Sequence, residues 1–162
     1  MLDIYTIGAD VLRKNAEPIE KFDEELAGLV TKMFETMKLG KGVGLAAPQV
    51  GLARRLFVMQ IEGDTPRVFI NPEIVQTSLE LESFEEGCLS IPGVYADLDR
   101  PSGIRVQAWN ERGRRFVLEA EGFLARVIQH ELDHLNGILF TDRLSEKNRD
   151  RLLKQYEKRM RA

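Results

Sequence analysis

Apolar residues recur along this chain with two different periods, and the switch between them marks out the elements. Over residues 23–39 they fall at Leu26, Leu29, Val30, Met33, Phe34 and Met37, the spacing that lines one face of a helix. Asp23 is the expected N-cap, acids follow it, and Gly40 and Gly42 end the element. The stretch GKGVGLAAPQVG that comes next is too rich in Gly and Pro for a regular element and is expected to be a shaped loop. Strand-like runs follow at 55–61, 68–70, 74–82, 104–109 and 114–120, with a hairpin turn at 110–113 and turn residues at 87–93 and 100–103. The helical period returns over 121–136, where Phe123, Leu124, Val127, Ile128, Leu132 and Leu135 form a stripe and Gly137 stands at the stop. Ser145 caps a final helix. The order helix, strands, helix, helix predicts an α+β fold: antiparallel β-sheets packed around a central helix, with an N-terminal and a C-terminal helix. At 162 residues, with no repeat and no linker-like stretch, the expectation is a single domain over 1–162.

Composition narrows the class. Apolar residues make up 43% and charged residues 30%, as in ordinary globular proteins. No apolar run approaches the roughly 20 residues that span a bilayer. The first residues lack the basic-then-apolar layout of a signal peptide, so the expected location is cytoplasmic, with no membrane partner. Cys88 is the one cysteine, which excludes an internal disulfide and fits a reducing compartment. A net charge of −3 argues against DNA as a partner, but it is unevenly spread. From Ser145 onward seven Lys or Arg face three acids, so this tail carries +4 and the rest −7. The tail reads either as a solvated face of an amphipathic surface helix or as a docking element for something acidic.

Candidate chemistry centres on the only two histidines. His130, Glu131 and His134 lie in HELDH, a match to H-E-x-x-H inside the second predicted helix. Residues four apart share a helical face, so two imidazoles can point at one metal ion, and the intervening Glu can take the proton of a water held there. The flanking LARVIQ and the leucines mark this helix as buried. Two His and two acids buried without partners would cost several kcal/mol, and a metal would satisfy the imidazoles. A catalytic metal usually has three protein ligands and one open position. Cys88, in the polar, Gly-containing segment EEGCLS, is the candidate third ligand, giving a Cys-His-His set suited to a divalent transition metal.

These segments resemble the three motifs of the peptide deformylases, in the family's order. They are GVGLAAPQ (42–49), EGCLS (86–90) and HELDH (130–134). The resemblance implies that Cys88, His130 and His134 bind one divalent ion, Fe²⁺ in the cell, with Zn²⁺, Ni²⁺ or Co²⁺ able to take its place. It implies Glu131 as general acid and base, and Gln49 with the backbone N–H of Leu89 as donors to the developing oxyanion. Val43, Gly44 and Gly87 would line the peptide groove. The pocket for the methionine side chain would draw on Val43, Glu86, Phe123, Arg126 and Val127. In some members an arginine stands where Tyr95 falls, so no role passes to that position. The implied activity is removal of the formyl group from N-formylmethionyl nascent peptides, releasing formate, by a monomer. The +4 tail is compatible with the contact that some members make with the ribosome through a C-terminal helix.

Three rivals stand beside this reading. A metalloendopeptidase of the HExxH type needs a third His or a downstream Glu, and Glu146 and Glu157 fall in a separate predicted helix. A metal-storing module needs a closed fourth ligand, typically a second Cys. A protein that binds formyl-peptides without hydrolysis has no use for Glu131 and Gln49.

Overall fold

The computed structural model describes residues 2–161. Its first helix, α1 (Glu24–Leu39), begins where Asp23 Oδ1 accepts the Leu26 N–H at 3.0 Å, and it buries Leu26, Val30, Met33 and Met37. Seven strands follow: β1 (Gly44–Ala46), β2 (Leu56–Met59), β3 (Arg67–Thr77), β4 (Leu81–Cys88), β5 (Ile91–Pro101), β6 (Gly103–Trp109) and β7 (Arg115–Glu121). Helix α2 (Gly122–Leu135) and helix α3 (Glu146–Arg161) complete the order. One sheet has five strands, in the order β1-β2-β3-β6-β7, and β4 and β5 form a separate pair. All the strand pairings are antiparallel.

The period-two rule shows how the layers assemble. Along β2, Leu56 and Val58 point to one side and Phe57 and Met59 to the other. The first pair packs with Leu26, Val30 and Met33 of α1. The second packs with Ala125, Ile128 and Leu135 of α2. The larger sheet is thus covered by α1 on one face and α2 on the other. Helix α2 meets the β4–β5 pair on its far side, where Gln129 Nε2 donates to the Pro101 carbonyl at 3.0 Å. The second helix therefore lies between two antiparallel sheets, as the element order predicted. A third cluster joins Ile91, Val94 and Leu98 of β5 to Leu152 and Tyr156 of α3.

Three departures from the expected elements have local causes. The runs at 68–70 and 74–82 belong to β3 and the start of β4. Asn71, at φ 50°, carries the chain through a register shift instead of ending the strand. Its side chain is held by the Ile19 N–H and C=O at 2.8 and 2.9 Å. Residues 91–101, expected to begin and end in turns, form all of β5. Its inward positions run Val94, Ala96, Leu98, Arg100, so an arginine interrupts the apolar alternation that marks a half-buried strand. Finally, residues 44–50 of the shaped loop contain β1 and a 3₁₀ turn over Ala47–Val50.

Candidate metal centre and cleft

Helix α2 carries His130, Glu131 and His134, all buried. Cys88 closes β4, and the turn lies after it, at Leu89 and Ser90. This brings Cys88 Sγ to 3.4 Å from His134 Nε2. One donor atom from each of Cys88, His130 and His134 lies within 4.8 Å of the others. A soft thiolate beside two imidazoles is a donor set for a divalent transition ion, so these residues fit the metal that the motifs imply.

The two imidazoles stand differently as ligands, for His134 Nδ1 is buried without a partner among the described residues. His130 Nδ1 lies 2.8 Å from Glu86 Oε1, which leaves Nε2 for a metal. Burial disfavours the His130 cation, but its hydrogen bonds to Cys88 and Glu86 outweigh this and raise its pKa well above the usual value. That proton is one a metal would displace. Burial, then the neighbouring charges of His130 and Arg100, pushes the His134 pKa well down, which keeps its ring neutral.

A buried charge network stands behind His130. Arg100 donates to Glu86 at 2.6 and 3.0 Å and to Asp133 at 2.8 Å. Arg126 reaches Glu86 at 2.7 Å, and Arg143 grips Asp133 at 2.6 and 2.7 Å. Burial alone would raise the Glu86 carboxyl, but His130 and Arg100 hold it well below the usual carboxylate range. Glu86 is therefore an anion that orients the His130 ring. Arg100, Asp133 and Arg143 were absent from the sequence-derived site. Asp133 is visible there as an acid on a buried helix, but nothing in the sequence singles out Arg100 or Arg143 as its partner.

Two further groups face the cluster. Gln49 Oε1 accepts the Ala46 N–H at 3.0 Å, which fixes the amide orientation. Its Nε2 then points to Ser90 Oγ at 3.1 Å and Cys88 Sγ at 3.5 Å, so a donor is aimed at the centre. Glu131 is 4% exposed, and its Oε1 has no hydrogen-bond partner. Burial, against the opposing pull of His130, raises its pKa to about 7. Gly44 passes so close that a Cβ there would lie 2.6 Å from Glu131 Oε2. Only glycine lets β1 run this near the carboxylate.

The centre opens into a cleft of about 510 Å³. Gln49, Cys88, Leu89, His130 and Glu131 line it, together with Val43, Gly44, Glu86, Gly87, Phe123, Arg126 and Val127. His134, 1% exposed, lies deeper. Glu86 and Arg126 turn their charged ends to each other, so they offer a wall and no free charge. Phe123 packs near Phe84, with ring centroids 6.2 Å apart.

Over nearly its whole length the chain is also similar to known proteins. The polypeptide deformylase family model matches residues 1–150. A peptide deformylase of Borreliella burgdorferi is 51% identical over 148 residues, 91% of this chain and 90% of the relative. The crystal structure of a peptide deformylase from Legionella pneumophila superposes with a TM-score of 0.94 at 42% identity, covering 99% of this chain and 96% of that one. A Synechococcus elongatus peptide deformylase in complex with actinonin gives 0.91 at 45% identity, covering 95% and 86%.

Proposed function

The chain belongs to the polypeptide deformylase family, and from that premise we propose how its cleft removes the formyl group from N-formylmethionyl peptides. It is a metal-dependent hydrolase. Cys88, His130 and His134 would hold the ion, which supplies Lewis acidity toward water and the formyl carbonyl when bound. A peptide enters with its formyl end at the centre and its methionine side chain against Phe123 and Val127. Glu131 accepts a proton from the attacking water as oxygen adds to the formyl carbon. Gln49 Nε2 and the Leu89 N–H donate to the formyl oxygen as it gains negative charge. Glu131 then gives the proton to the amine nitrogen as the C–N bond breaks. Formate and a free α-amino group leave.

The observation that carries this reading is the convergence on one thiol–imidazole cluster of an unpartnered buried carboxylate and an amide donor of fixed orientation. A storage module needs neither group. The test is Gln49→Leu, assayed for formate release from formyl-Met-Ala-Ser. We expect kcat to fall about 10²- to 10³-fold with metal content unchanged. A rate within a factor of two of the unsubstituted protein would remove Gln49 from the mechanism.

Three finer assignments follow the family pattern. The cellular ion is Fe²⁺, with Zn²⁺, Ni²⁺ or Co²⁺ accepted by the same donors. The working form is a cytoplasmic monomer; among the described residues no helix is long and apolar enough to cross a membrane. The exposed basic face of α3, with Arg151, Lys154 and Lys158, docks on the ribosome. Lys154→Glu combined with Lys158→Glu is expected to weaken co-sedimentation with ribosomes at low salt and leave formate release intact. Unchanged co-sedimentation would end that assignment.

A further inference from the structure

Residues 2–7 belong to none of the three motifs and do not line the cleft, yet they are tied to two of the motifs from behind. The Tyr5 N–H donates to the Gln49 carbonyl at 2.7 Å, and the Ile7 N–H donates to the Ser90 carbonyl at 2.9 Å. These two acceptor residues are themselves joined, since Gln49 Nε2 lies 3.1 Å from Ser90 Oγ. Two amides of one short segment thus hold both residues between which the amide donor is set. The segment is anchored on either side of Tyr5. The Leu2 N–H donates to Thr36 Oγ1 of α1 at 3.0 Å, and Ile7 packs in the cluster that includes Cys88 and Ile91.

The Tyr5 ring adds a second hold on the same turn. It lies on Gly51, where a Cβ would come 2.8 Å from ring carbon Cε1. Gly51, at φ 89°, ends the 3₁₀ turn that carries Gln49. A single 3₁₀ turn has few internal hydrogen bonds, and those are poorly aligned, so its position depends on what packs against it. The Ala46 N–H fixes the plane of the Gln49 amide. Tyr5 holds the backbone from which that amide extends.

We propose that Tyr5 is a positioning residue: its N–H and its ring fix the turn that aims Gln49 Nε2 at the formyl oxygen. The proposal rests on the oxyanion role given to Gln49 above. That donor gains strength only as the oxygen gains charge, so a turn that drifts costs kcat and leaves KM alone. The donors to the metal come from β4 and α2, which Tyr5 does not hold.

The experiment measures kcat and KM for formyl-Met-Ala-Ser in Tyr5→Phe, Tyr5→Ala and Tyr5→Pro, each alone and combined with Gln49→Leu, in the metal-loaded protein. Phenylalanine keeps both holds, alanine loses the ring, and proline loses the ring and the N–H. Tyr5→Phe is expected to match the unsubstituted protein. Tyr5→Ala and Tyr5→Pro are expected to lower kcat by about threefold and about tenfold, with KM and the content of one ion per chain unchanged. In the Gln49→Leu background the same two substitutions should cost less than about twofold, because no donor is left to aim. Tyr5 is 45% exposed, so the alanine variant is expected to fold. A circular dichroism melt checks each variant, and if the proline variant does not fold the alanine pair decides. An unchanged kcat in the folded variants, an equal loss in both backgrounds, or a loss that appears in KM or together with the metal would overturn the positioning role. A slow Gln49→Leu variant would leave the oxyanion role standing in each of those cases. A Gln49→Leu variant as active as the unsubstituted protein would overturn both roles, and no formate from the unsubstituted protein would overturn the deformylase reading with them.

Discussion

Replacing Glu131 with glutamine is expected to lower kcat for formate release by about 10²- to 10⁴-fold, the range over which a positioned acid–base group accelerates proton transfer. Glutamine keeps the volume, so the close passage of Gly44 is undisturbed. It cannot accept a proton from water. Metal content should stay at one ion per chain, because the donors are supplied by Cys88, His130 and His134. Stability should not fall, since the change removes a buried carboxylate whose Oε1 has no partner. A variant that loses activity together with its metal would instead make Glu131 a determinant of ion binding. One that keeps a tenth of the activity would place the proton transfer elsewhere.

The second large effect is on folding. Arg100→Leu is expected to destabilise the protein by about 3–5 kcal/mol, the cost of breaking a buried ion pair from one side. Arg100 is 4% exposed and joins Glu86 to Asp133. Without it Glu86 retains Arg126 and His130, and among the described residues Asp133 retains Arg143 alone. Loosening of Glu86 frees the His130 ring, so metal affinity should also fall by about 10- to 100-fold. Urea unfolding of the metal-free protein and competition for Zn²⁺ measure the two effects separately. Arg105→Leu is the control: its pair with Glu119 is solvent-exposed and is worth at most about 1 kcal/mol. If both substitutions cost the same, the buried network does not support the site.

The elements that sequence patterning revealed are those with a clean period. Helix α1 buries one apolar stripe, while α2, enclosed between the two sheets, buries polar and charged residues as well as Val127, Ile128 and Leu135; the predicted bounds of both fall within a residue of the observed ones. Strand β5 was hidden because the inward position that would have completed its alternation holds Arg100, whose partners come from Glu86 and Asp133, 14 and 33 residues away. Asn71 hid the continuity of β3 in a similar way, since its backbone conformation is stabilised by contacts with Ile19, 52 residues away.

The donor cluster of the candidate site was legible because it is made of scarce residues. One cysteine and two histidines leave few ways to assemble a ligand set. The supporting charges are different, because arginines and acids are common throughout the chain. Which of them meet at His130 is decided by how β4, β5 and α2 pack. Gln49 lies between these cases. Its motif pointed to the residue, but the direction of its amide depends on the Ala46 N–H at the end of β1.

The most direct test of the central claim is a titration of the metal-free protein with Co²⁺, recording the thiolate-to-cobalt absorption band and formate release from formyl-Met-Ala-Ser together. Both are expected to rise in parallel and to saturate at one ion per chain. In Cys88→Ala the band should be missing and the activity lost. Full activity without metal, or a thiolate band saturating at one equivalent with no formate released, would contradict it.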